Sequence, residues 1–273
     1  MPLSANVHAE GLSDILESVL TAAEDDILLV NPTRDAMERL VSVASTLEAR
    51  PTVRVVAQEP VLKDVMDDFI VASNAADLVA AGSLFLRTND VSAESALVVT
   101  RETVLAIVTA GDSVAALTTE DDEFVRTAFD AYRDDWEEAE EYRLRTPPLS
   151  RVRETMSEEL SPGMREDFDD VLASLQTARG DGDGLDEVTI SLLVAAKNDV
   201  LLYDISKWGE DVGIASKATF SRTKTKLEEL GLIDTEKVPI DVGRPRLRLK
   251  LGEERLQSVD ATELASVAQS LLA

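Results

Sequence analysis

The sequence predicts an α/β chain in two parts: a mixed sheet flanked by helices, then a smaller helical module that ends in a pair of strands. Three observations carry this. Short apolar segments alternate with helical periodicity between Ile27 and Thr109. A proline pair, Pro147-Pro148, breaks the chain behind a long acidic helix. The bases then gather in the last third of a chain that is otherwise strongly acidic.

Taken in order, Leu12, Ile15, Leu16, Val19 and Leu20 form the stripe of an amphipathic helix. Ile27 to Val30 reads as a buried strand stopped by Asn31-Pro32, and a helix from about Asp35 to Leu47 follows. Pro51 introduces a second strand, Val53 to Val56. Val61 to Ala72 and Ala75 to Ala80 read as helices. Leu84 to Leu86, Ala96 to Thr100 and Val104 to Thr109 are three closely spaced strands, with Val114 to Leu117 as a fourth. The acidic helix, about Asp121 to Tyr142, is expected to bury Phe124, Val125, Ala128, Phe129, Tyr132 and Trp136. Strand–helix–strand–helix followed by a meander argues a mixed sheet. The N-terminal domain therefore covers 1–146.

Ser161-Pro162 opens a further helix, a capping serine with proline at the first helical position. With the glycine-rich joint at Gly180 to Gly184, it makes 147–184 a linker carrying one helix. Asp181 and Asp183 tempt a calcium-loop reading, but Asp186 stands where that loop needs glycine and Leu192 where it needs glutamate.

The chain has 273 residues, 53 Asp and Glu against 27 Lys and Arg, and a formal net charge of −26. Its apolar residues are mostly Ala and Val, and it holds 8 Lys against 19 Arg. This composition suits a cytosolic protein working in molar salt, where a Debye length of about 3 Å screens carboxylate repulsion. Cysteine is absent and His8 is the single histidine, so disulfides, thiolate zinc and the two-histidine metalloprotease helix are excluded. No apolar run approaches a membrane span, the N-terminus lacks a signal peptide's basic and apolar regions, and no glycine-rich nucleotide loop is present. No cofactor, metal or catalytic residue is expected.

The charge is uneven. Residues 1–180 carry a net −21 and residues 181–273 only −5. Between Gly213 and Lys250 nine bases face five acids. A basic island in an acidic chain points to a polyanionic partner, with local salt bridging to the acidic first domain as the plain alternative.

That island has an order of elements. Val188 to Ala196 and Ile205 to Val212 read as helices, Gly213 as a sharp turn, and Ser216 as the cap of a third helix, Lys217 to Leu230, ended by Gly231. On a helical wheel Phe220, Thr223, Leu227 and Leu230 point inward. Thr219, Ser221, Arg222, Thr225 and Lys226 point outward, an outer face of small polar groups and cations suited to a DNA major groove. Strands Ile233 to Val238 and Arg246 to Leu251 follow, the second alternating Arg246, Arg248 and Lys250 with leucines. Three helices and two strands within 185–251 make a winged helix-turn-helix. Gly243-Arg244-Pro245-Arg246 at the wing tip suits a narrow minor groove, whose negative potential favours arginine. The expected DNA contacts are Ser216, Lys217, Thr219, Ser221, Arg222, Thr225, Lys226, Arg244, Arg246 and Arg248. The module is expected to be self-contained from about residue 160. Residues 252–273 continue as a helix, read either as a cap on the domain or as the contact of a homodimer reading two half-sites.

The stretch Ile205 to Arg222, with Ile240 to Arg246 downstream, resembles haloarchaeal transcriptional regulators of the TbsP type. The resemblance implies a DNA-binding regulator of central sugar metabolism that acts together with TrmB. Gly213-Ile214-Ala215-Ser216 is one residue longer than the usual helix-turn-helix turn. The first domain resembles the phospholipase-D-like fold of TrmB-type sensor domains. That fold's His-x-Lys motif has no counterpart here, because the strands Ala96 to Thr100 and Val104 to Thr109 hold neither residue.

The reading is thus a non-enzymatic regulator whose first domain senses a metabolite or partner. Strand ends offer Asn31, Arg34, Gln58, Thr100 and Arg101 as effector contacts. An anionic metabolite would need Arg34 or Arg101. The rival is a metabolite-binding or enzymatic α/β protein whose winged helix docks another protein.

Overall fold

Strand β2 (Ile27–Val30) is four consecutive apolar residues, and all four are buried. The computed structural model, which describes residues 7–8, 11–23, 26–89, 95–110, 113–179, 184–239 and 245–272, places it in the middle of an eight-stranded mixed sheet. Its neighbours are β3 (Val53–Ala57), parallel, and β5 (Leu97–Val99), antiparallel. Outward from β3 come β4 (Leu84–Thr88), parallel, and β8 (Glu140–Glu141), antiparallel. Outward from β5 come β6 (Val104–Ala110), β7 (Ser113–Thr119) and β1 (Val7–His8), all antiparallel.

Helices α1 (Leu12–Ala22), α2 (Arg34–Thr46), α3 (Glu59–Met66) and α4 (Phe69–Ala80) precede the meander. Helix α5 (Asp122–Glu138) follows it, capped by Asp121, which accepts from the Phe124 amide at 2.9 Å. Val125, Phe129 and Trp136 of α5 pack on Leu28, Val30, Val56 and Val99. Ile27 and Leu29, of opposite parity, are equally buried, so the sheet centre is covered on both faces. Several expectations change here: α3 and α4 part at Asp67-Asp68 instead of after Ala72, and α5 ends at Glu138 instead of Tyr142. Phe124 lies 55% exposed instead of in the core, because it sits in the first turn of α5. The edge strands β1 and β8 are two residues each, too short for a periodic signal.

By internal contact the chain divides into one unit of Met1–Asp67 with Asn74–Leu144 and another of Asp68–Ser73 with Arg145–Ala273. The stretch expected to be a linker with one helix holds two, α6 (Leu149–Glu159) and α7 (Pro162–Ser174), and both belong to the second unit's core. Val152, Met156, Met164 and Phe168 are fully buried there. Phe69 enters the same core, edge-on to Phe168 at 6.5 Å between ring centroids. Asp68 accepts from the Ile70 amide at 2.9 Å, from the Ala178 amide, and from the Thr177 hydroxyl. The C-terminal module is therefore larger than its sequence signature. The calcium-loop aspartates Asp181 and Asp183 lie outside the described residues.

The helix-turn-helix and wing elements of the second unit fall where the sequence places them, and the C-terminal stretch does not. The former are α8 (Glu187–Lys197), α9 (Leu202–Val212), α10 (Lys217–Glu229), β9 (Ile233–Val238) and β10 (Arg246–Leu251). The C-terminal stretch is two helices, α11 (Glu254–Gln257) and α12 (Ala261–Leu272), broken at Asp260, whose carboxylate accepts from the Thr262 and Glu263 amides. Of the apolar face expected here, Leu256 and Leu264 are spent on the unit's own core, whereas Val259, Val267, Leu271 and Leu272 stay half-buried at its edge.

Candidate nucleic-acid interface

Helix α9 ends at Gly213, whose φ of 97° is left-handed and open to glycine at little cost. Ile214 and Ala215 complete the turn. Ser216 then caps α10, its hydroxyl accepting from the Thr219 amide at 3.2 Å. The longer turn thus leaves the cap where the sequence placed it. Glu210 of α9 braces the same helix end. It accepts from the Lys217 amide at 3.3 Å and pairs with Lys217 Nζ at 2.8 Å. The hydrogen bond from Lys217 holds Glu210 below the ordinary carboxylate range, and the same bond raises the Lys217 ammonium.

The two helices cross closely because Gly209 has no side chain. A Cβ there would stand 2.3 Å from the ring of Phe220, which is fully buried. Gly209→Ala is expected to lower stability by about 1–2 kcal/mol. At 2.3 Å from a fully buried ring, overpacking costs the upper part of its range, about 2–3 kcal/mol, and the helix propensity of alanine returns about 1. Chemical unfolding of the two chains checks this, and an unchanged midpoint would contradict the close crossing.

Along α10, Ser216, Lys217, Ala218, Ser221, Arg222, Thr225 and Lys226 are exposed and Thr219 is half-buried. Phe220 and Leu227 face the core as expected. Leu230 does not: it lies past the helix end and is 46% exposed. Lys224 takes the inner position instead, its stem buried and its Nζ 2.7 Å from Glu228, which also accepts from Thr235. Arg222 reaches Thr219 Oγ1 at 3.4 Å and has no acidic partner among the described residues, nor has Lys226.

The wing is differently arranged. Strands β9 and β10 pair in register, Arg248 opposite Glu236 and Leu249 opposite Thr235. Leu201 bridges to Arg248, and the Leu249 amide donates to Val200 O, so a short third segment joins the pair. Leu249 and Leu251 are buried, as the alternation predicts. Each base on the other face has an acid beside it: Arg246 lies 3.7 Å from Asp204, Arg248 3.7 Å from Glu236, and Lys250 2.7 Å from Asp199. Arg246 also stacks over the Tyr203 ring at 4.6 Å. The basic island is thus partly neutralised within its own unit. Salt bridging was the plain alternative for the island, but its acids come from α9, β9 and the turn before α9 instead of from the acidic first domain. Arg244 lies outside the described residues.

The effector candidates of the first unit do not converge. Asn31 and Gln58 end the adjacent parallel strands β2 and β3, and Arg34 opens α2 nearby. Arg34 already pairs with Glu38 at 2.8 Å and Asp64 at 3.4 Å. Thr100 and Arg101 follow β5, which runs antiparallel to β2 and so ends at the opposite edge. Thr100 closes the β5–β6 turn on Thr103, and Arg101 covers the Phe129 ring at 4.8 Å. Among the described residues, no group of three or more His, Asp or Glu is placed to hold a metal ion, and no helix is long and apolar enough to cross a membrane.

A recognition-type helix braced by two helices and followed by a two-stranded wing defines the winged helix-turn-helix class of DNA-binding domains. The family models agree. The description "Transcriptional regulator TbsP-like, N-terminal" matches residues 4–147, and "Transcriptional regulator TbsP-like, C-terminal HTH domain" matches 148–269. The chain belongs to the TbsP-like transcriptional regulators, a family of DNA-binding regulators. The boundary between the two matches falls where Pro147-Pro148 breaks the chain, ahead of α6.

No curated protein matches the chain. Among solved structures it is similar to TrmBL2, described as an archaeal chromatin protein with a novel mode of DNA binding. The TM-score is 0.36 at 17% identity, over 52% of this chain and 55% of that one, so the chain spans about half the length of that relative. It is also similar to Nuc, a phospholipase D family member from Salmonella typhimurium, with a TM-score of 0.33 at 16% identity over 48% of this chain and 90% of that one.

Proposed function

We propose that the chain is a sequence-specific regulator that lays α10 in the major groove and its wing on the flanking minor groove. Arg222 reads a guanine edge. Lys226, Lys217, Arg246, Arg248 and Arg244 take phosphates or the minor groove, and Ser216, Thr219, Ser221 and Thr225 supply shorter polar contacts. The observation that carries this reading is the outer face of α10, where two cations without acidic partners stand among small polar residues. A protein-docking surface has no need of that combination.

The finer reading comes from the resemblance and the composition. The regulator works in a haloarchaeal cytosol on genes of central sugar metabolism, it binds as a homodimer to paired half-sites, and its N-terminal unit senses a metabolite or partner without catalysing a reaction. Mapping of genomic sites bound in vivo tests this directly. The reading expects a shared, two-fold related sequence upstream of sugar-metabolism genes. Sites scattered without a common sequence would overturn it in favour of a protein-docking winged helix.

A further inference from the structure

The first unit contains an opening of about 690 Å³ between the meander and α5. Its sheet side is formed by Leu97, Val104, Ala106 and Leu117, and its helix side by Phe124, Ala128, Ala131 and Tyr132. The space exists because alanines stand where the facing elements would otherwise interdigitate. Two large apolar side chains at its border, Leu117 and Phe124, are each 55% exposed. Leaving such side chains in water costs free energy that a bound apolar body would recover.

Five of the twelve residues lining the opening are polar, four of them hydroxyl-bearing. Asp135 is the single charged residue in its lining, and no arginine, lysine or histidine takes part. The Tyr132 hydroxyl belongs to the lining, and burial pushes its ionisation above the ordinary value, so it stays a neutral donor and acceptor.

We infer that this opening is a binding site for a largely apolar, uncharged or amine-bearing small molecule. Its volume falls within the range of small-molecule sites, roughly 300–1,000 Å³, and its lining is mainly apolar with hydroxyls and one carboxylate. An anion is disfavoured, since Asp135 would repel it and no cation offsets that. The inference deepens the sensing role proposed for this unit, changing the ligand class from the anion that Arg34 or Arg101 would hold. It rests on that role only for its regulatory meaning, because occupancy is measured without DNA.

The test uses the full chain at its working salt and N-phenyl-1-naphthylamine, a neutral apolar probe that fluoresces on burial and carries one N–H donor. Saturable binding of one probe per chain is expected. The sulfonated analogue, 8-anilinonaphthalene-1-sulfonate, should bind at least ten-fold more weakly. Leu117→Asp and Ala131→Trp both change exposed residues, one adding charge to the opening and the other filling it. Each should weaken the neutral probe at least ten-fold with circular dichroism unchanged. No saturable binding, equal binding of the sulfonate, or full binding retained in both folded variants would each overturn the site. If the probe binds as described but leaves operator affinity unchanged, the site stands and the sensing role falls.

Discussion

Replacing Trp208 by alanine is expected to lower the stability of the second unit by about 3–5 kcal/mol, the range for emptying a large buried aromatic position. Trp208 is 1% exposed and lies on α9, where it meets α6. Its indole N–H donates to Thr155 Oγ1 at 3.0 Å, so the side chain satisfies its one polar group while filling the core. Thr155→Val, which keeps the shape and removes the acceptor, should cost about 1–3 kcal/mol by leaving that N–H buried and unpaired. Chemical unfolding followed by circular dichroism measures both. The same contact bears on truncation. A chain beginning near residue 160 lacks Leu149, Val152, Met156 and Thr155, so it should fail to fold cooperatively. A loss below about 1 kcal/mol for Trp208→Ala would mean that α6 does not brace the helix-turn-helix.

The second large effect concerns salt. A protein that neutralises six phosphates loses roughly three decades of affinity over a four-fold rise in salt, from a slope near −0.9 per phosphate. Here under one decade is expected between about 0.5 and 2 M. Lys217, Arg246 and Arg248 already pair with Glu210, Asp204 and Glu236. When those bases turn to phosphates, the released carboxylates take up cations and offset the counterions that leave the DNA. Titrating operator DNA across that range decides the matter. A loss of three decades would show that the bases act by plain phosphate neutralisation and that their acidic partners have no part in binding.

Much of this arrangement was legible in the residues. Strands β9 and β10 begin and end where the sequence places them, and Ser216 caps α10 as its position before a charged, small-residue helix implies. Helix α6 was legible too, since Leu149, Val152 and Met156 keep helical spacing, but the preceding proline pair suggested a linker. Lys224 falls about 40° from Phe220 at 100° per residue, so the wheel itself placed it inward. Residue type argued against burial, and the long apolar stem overrode it. What local pattern could not supply was direction and pairing across the fold. Thr100 and Arg101 parted from Asn31 and Gln58 because β5 runs antiparallel to β2, and the wing's bases met acids from α9, β9 and the turn before α9. The opening beside α5 depends on alanines from β6 and α5 facing one another, which periodicity within either element cannot reveal.

The central claim is that α10 reads DNA sequence through Arg222. The direct measurement compares Arg222→Ala with the unchanged chain on operator DNA and on unrelated DNA of equal length, at one fixed salt. Loss of a bidentate base contact should cost about 1–3 kcal/mol on the operator and much less on unrelated DNA, and it should relax the preference at one base pair of each half-site. Lys226→Ala, as a phosphate contact, should weaken both DNAs alike. An Arg222→Ala chain that keeps its operator affinity and footprint, or that loses affinity equally on both DNAs, would contradict the assignment of α10 as the reading helix.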